Sequence, residues 1–111
     1  MAKKTKTELL KFYGTQEGVH KINTVKHGVV AGTMTTFAEI FGTIAPSHLQ
    51  SILGSEFYAF GKKIAEPGRF SLNEIEALAN FLKIEYNTMH HFVRQNMISA
   101  QKADHRKKKG R

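Results

Sequence analysis

The chain is 111 residues long with 41% hydrophobic and 23% charged residues, which is the composition of one globular domain with room for a single core of four or five short helices. It has no cysteine, which excludes disulfides, thiolate zinc sites and cysteine nucleophiles, and no apolar run reaches the roughly 18 residues that a membrane span needs. A formal charge of +8 points to an anionic partner, because a strongly positive surface attracts polyanions at long range.

The first segment, "MAKKTKTELLKFYGTQEG", opens on lysines, lacks the apolar core of a secretory signal, and offers a turn or two of helix from Glu8 to Tyr13 before Gly14. It reads as a mobile basic arm on a soluble, cytoplasmic protein with no membrane partner. From Val19 to Met34 the mixture of Val, Ile, Thr and Gly, with "KHG" as a turn, reads as a small β-hairpin, although Val19, Ile22 and Val25 also suit a helix. Residues 1–34 are thus a basic N-terminal arm with a short element left open between strand and helix.

Helical periodicity begins at Thr35 or Thr36, either one an N-cap for a helix whose apolar face is Phe37, Ile40, Phe41 and Ile44. Pro46 suits the first turn of a second helix, lined by Leu49, Ile52 and Leu53 and ended by Gly54. A third starts at Ser55 or Glu56, with Phe57, Phe60 and Ile64 on one side, and "EPG" breaks it. Ser71 and Glu74 form a capping box before a fourth helix lined by Leu72, Ile75, Leu78, Ala79 and Leu82. A fifth starts at Glu85 or Asn87 with Met89, Phe92, Val93 and Met97, giving a folded unit over 35–98. Residues 99–111 end in "AQKADHRKKKGR", a charged tail with nothing to bury.

The charge is unevenly spread. Between Thr36 and Ile98 there are five basic residues and six acids, a net of −1, whereas the flanks hold twelve basic residues and three acids, a net of +9.

The ordered set "LQSILG", "SEFYAFGKKI", "EPGRFSLNEIEALANFLKI" and "EYNTMHHFV" resembles the phage-repressor or Cro-like helix-turn-helix family. The resemblance covers Phe37 to Val93, about half the chain, and its most specific part is the spacing from Gly54 through Pro67 to "LANFLKI". It implies an all-α, five-helix lambda-repressor-like domain with flexible basic arms at both ends. It also implies double-stranded DNA as partner and a homodimer reading half-sites one helical turn apart. The third helix would enter the major groove, with Glu56, Phe57, Tyr58 and Lys62 at base edges and Lys63 and Arg69 on the backbone. In the family the positions of Phe57 and Tyr58 are usually polar and that of Gln50 small, and here Gly61 interrupts the reading helix.

Beside the resemblance, Lys3, Lys4 and Lys6 at one end and Arg106, Lys107, Lys108 and Lys109 at the other are phosphate-contact candidates that add affinity without reading sequence. They also read as solubilising ends, as the Lys62 and Lys63 pair reads as a solvated face, and Phe57 as either core or surface. His90 and His91 point about 100° apart on a helix and cannot chelate one ion together, so no metal and no cofactor is expected. No acid–base pair, nucleophile elbow or phosphate-binding glycine loop is visible, "HGVVAG" included, and the chain reads as a non-enzyme. Two other readings stay open: the same fold as a protein-interaction module using Phe57, Tyr58 and the fifth helix, and non-specific binding of RNA or DNA through the ends alone.

Overall fold

The computed structural model describes the backbone of residues 5–109 and the side chains of residues 5–100. Every regular element there is helical: α1 (Lys6–Phe12), α2 (Gln16–Ala31), α3 (Phe37–Phe41), α4 (Pro46–Leu53), α5 (Phe57–Ala65), a 3-10 turn (Pro67–Arg69), α6 (Leu72–Leu82) and α7 (Tyr86–Lys109). Among the described residues no helix is long and apolar enough to cross a membrane.

Local chemistry sets most helix starts. The hydroxyls of Thr5, Thr36 and Ser71 each accept from the amide three residues on, and Glu8, Glu39 and Glu74 return the bond to the capping residue's own amide. Thr15 caps α2 through the Gly18 amide, and Pro46 fills the first turn of α4, where its missing N–H costs nothing. Gly54 ends α4 with φ +67°, a left-handed conformation that also ends α6 at Lys83, φ 57°, where a side chain tolerates it less well.

The N-terminal third differs from its sequence reading. Residues 19–34 form no hairpin: α2 runs from Gln16 to Ala31, with Gly18, Ile22, Val25 and Val29 on one buried stripe. Helical spacing of these apolar positions outweighs the strand preference of single Val, Ile and Thr residues, because packing decides over weak local propensity. Gly28 of "KHG" lies inside the helix, and a Cβ there would come within 2.7 Å of the Met34 side chain. Its smallness serves close packing instead of a turn.

Nor is the segment around Glu8 to Tyr13 a mobile arm. Leu9 and Tyr13 are buried against α4, and one core cluster runs from Leu9 to Val93 without a break at 34/35. Lys6 is exposed in the first turn of α1, while Lys3 and Lys4 lie outside the described residues. At the other end, the backbone that reads as a tail from residue 99 continues α7 to Lys109, with Ala100 half-buried; the side chains of Arg106, Lys107, Lys108 and Lys109 lie outside the described residues.

Within the core, α6 touches α2, α4 and α7, and Leu78 and Leu82 are almost wholly enclosed. Five phenylalanines form a second layer. Phe37 stacks on Phe70 at 5.4 Å and meets Phe92 edge-on at 5.2 Å, Phe60 meets Phe70 at 6.5 Å, and Phe41 meets Phe60 at 6.4 Å. Such aromatic pairs contribute about 0.5–1.5 kcal/mol beyond their buried area, and here they join α3, α5, the 3-10 turn and α7. Asn96 of α7 closes the layer: its side-chain oxygen accepts from the Phe37 amide, and its nitrogen donates to the Thr35 carbonyl at 2.9 Å.

Two glycines give opposite expectations. A Cβ on Gly18 would lie 2.3 Å from the Phe12 carbonyl oxygen, so Gly18→Ala should lower stability by about 1–3 kcal/mol as α1 is pushed off. Around Gly61 nothing lies within 4 Å, so Gly61→Ala should raise stability by about 1 kcal/mol through helix propensity alone. Urea denaturation of the two variants against the parent checks both signs.

Candidate functional site

The turn between α4 and α5 is fixed by Gln50. Its side chain is buried at the helix crossing and donates to the Ser55 carbonyl at 3.2 Å, while the Ser55 amide donates to the Gln50 carbonyl at 3.1 Å. This long polar side chain is accommodated at the crossing by holding the turn itself. On α4 as well, the Tyr13 hydroxyl and His48 Nδ1 are hydrogen-bonded at 2.8 Å, and burial raises the pKa of the Tyr13 phenol. This contact fastens α1 to α4.

From that turn α5 presents an outward stripe. Phe57 is 65% exposed and Tyr58 74%, with Gly61, Lys62 and Ala65 following at helical spacing on the same exposed side. Phe60 faces inward at 5% exposure and anchors the helix, while Ile64, one turn further, is half-buried. Phe57, open in the sequence between core and surface, is therefore a surface residue. Glu56 is exposed just before the helix and makes no side-chain capping bond.

The basic residues of the motif divide. Lys62 is exposed and has no ion pair among the described residues. Lys63 is paired with Glu74 of α6, and Arg69 with Glu66 one turn back. Lys63 is only partly exposed and joins α5 to α6, whereas Arg69 and Glu66 are both exposed to solvent. Among the described residues no group of three or more His, Cys, Asp or Glu side chains could hold a metal ion, and His90 lies instead beside the Tyr86 ring at 6.0 Å.

Between α4 and α5 lies an apolar groove of about 490 Å³, walled by Phe41, Pro46, Phe57, Phe60 and Ile64 and open to Lys62. Sequence reasoning missed this groove and the Tyr13–His48 contact. The second had a signal in the four-residue spacing of Leu9 and Tyr13, which marks a buried helix face. The groove had none, since it depends on how far apart two helices sit.

Glu74 carries two duties. Burial raises its pKa, but hydrogen bonds from Lys63 and from the Ser71 amide, with the charge of Lys63, outweigh burial and hold it below the ordinary carboxylate range. Amide hydrogen bonds from Thr35 and Thr36 lower Glu39 likewise. A carboxylate depressed in the folded chain stabilises it above its unfolded pKa, about 4.3, and that contribution is lost as the pH falls through the folded value. Stability measured by urea denaturation should therefore decline as the pH drops below about 4.3, and Glu74→Gln should be less stable at neutral pH with a shallower acid decline.

Comparison with protein-family models, with curated proteins and with solved structures finds no match to this chain.

Proposed function

We propose that the chain is a DNA-binding, repressor-like transcriptional regulator of the phage-repressor or Cro-like type. In this reading α5 faces the major groove with Glu56, Phe57, Tyr58 and Lys62, and the lysine- and arginine-rich ends hold phosphates. The observation that supports it best is the presentation of α5: a short helix pinned from inside by Phe60 and set beyond a glycine turn so that its first turn is open to solvent. The charge agrees with this division of labour, since the net +9 lies outside residues 36–98 and the one lysine of α5 without an ion pair among the described residues is Lys62. Aromatic side chains at base edges favour thymine methyl contacts over bidentate hydrogen bonds, so sequence preference should be modest. Dimeric binding belongs to the same proposal through the resemblance.

A second reading has its own observation. Two adjacent exposed aromatic rings beside an apolar groove also suit a protein partner, with the helix-turn-helix as an interaction module.

Duplex binding measured against salt separates these readings. The full chain should bind with a steep salt dependence. Removal of residues 100–111 should weaken binding to all sequences alike and flatten the slope by about 0.9 for each phosphate that is no longer neutralised. Tyr58→Ala with Lys62→Ala should reduce discrimination between duplexes. If the helix substitutions change nothing while truncation abolishes binding, the ends act alone and the repressor reading falls; no duplex affinity at all supports the interaction module.

A further inference from the structure

The outer face of α5 has the form of a ring beside a slot. Phe57 and Tyr58 meet edge to face with centroids 5.4 Å apart, and both rings are largely open to solvent. One turn on from Phe57, position 61 is a glycine, and a Cβ built there would meet no atom within 4 Å. The flank of the exposed ring therefore opens into the groove of about 490 Å³ lined by Phe41, Pro46, Phe60 and Ile64, with Lys62 at its edge.

An apolar groove, an exposed aromatic ring and one cation within a helical turn are together what stacking a nucleobase requires while its phosphate meets a lysine. Duplex bases are stacked on each other and present only their edges, so the occupant of such a slot is a base out of the stack. A wholly apolar peptide side chain would leave Lys62 without use.

We propose that the slot formed by Phe57, Tyr58 and Gly61 binds an unstacked nucleobase of a single-stranded or locally unpaired nucleic acid, with Lys62 on the adjoining phosphate. This rests on the nucleic-acid reading above, but has α5 take an unpaired base in place of the base edges of an intact duplex. Stacking tolerates any base, so the slot contributes affinity for unpaired strands with little sequence preference.

The test titrates the full chain into a single-stranded DNA 12-mer carrying one central 2-aminopurine, following its fluorescence, with a fully paired duplex titrated in parallel. The emission of 2-aminopurine should change and saturate. Phe57→Leu keeps the apolar bulk without the ring, and Gly61→Leu fills the slot from an open position; each should weaken single-strand binding about tenfold or more. Lys62→Met should weaken it less and lower the salt slope by about 1. Circular dichroism checks that each variant is folded, and light scattering follows the oligomeric state. Binding to either nucleic acid without any fluorescence change, or unchanged affinity in folded Phe57→Leu and Gly61→Leu, overturns the stacking site and leaves the DNA-binding reading intact. Binding to neither overturns both. A dimer that Gly61→Leu dissociates would assign the face to self-association and overturn the stacking site.

Discussion

A helix of five to nine residues does not hold in water by itself, because nucleation costs more than so few hydrogen bonds return. Four helices of this protein, α1, α3, α4 and α5, are of that length. Each exists only because its apolar side is buried against neighbouring helices. The long members, α2, α6 and α7, form the support, and α6 is the meeting point because it touches both others and α4. Caps set where the short helices begin, and the shared core determines that they form at all.

That constraint explains how the surface of α5 comes to be as it is. Its inward attachments are the Phe60 ring and the Lys63–Glu74 pair, and the second of these takes up a lysine that would otherwise add to a cationic outer face. What remains outside is two aromatic rings, two small residues and one lysine. Such a surface is suited to shape and stacking contacts more than to hydrogen-bond readout. Under the proposed nucleic-acid reading, affinity for a polyanion would then come mostly from elsewhere in the chain, in line with the concentration of positive charge outside residues 36–98.

From Thr36 to Ile98 most helix starts and breaks were legible in the sequence, although Leu72, read on the inner face of α6, is exposed, and the helix read through Ile44 ends at Phe41. Thr36 with Glu39, Ser71 with Glu74, Pro46 and Gly54 are local signals whose meaning does not depend on the rest of the chain, and the structure has helix boundaries where they fall. The segment 19–34 was ambiguous because β-branched residues and glycines carry two messages. Ile22, Val25 and Val29 fit a buried helical stripe, and only the packing of α2 against α6 decides for it. At the site, the outward course of Tyr58 and the inward course of Phe60 follow from periodicity. The ion pairing of Lys63 and Arg69 did not: Arg69 and Glu66 are three apart and were readable in principle, whereas Lys63 and Glu74 meet only after the 3-10 turn brings the start of α6 back toward α5.

The bridge from Asn96 to the start of α3 has a consequence for local unfolding. Thr35 and Phe37 are separated from Asn96 by about sixty positions of chain, yet a single side chain holds both backbone groups. With only five residues, α3 has few hydrogen bonds of its own to delay its opening, so its amides are protected from hydrogen exchange chiefly while α7 stays docked. Loosening of α7 around Asn96 would therefore release the start of α3 together with the 3-10 turn that α7 also packs against. The least independent helix of the fold is in this sense held in place from the far end of the sequence, through one asparagine.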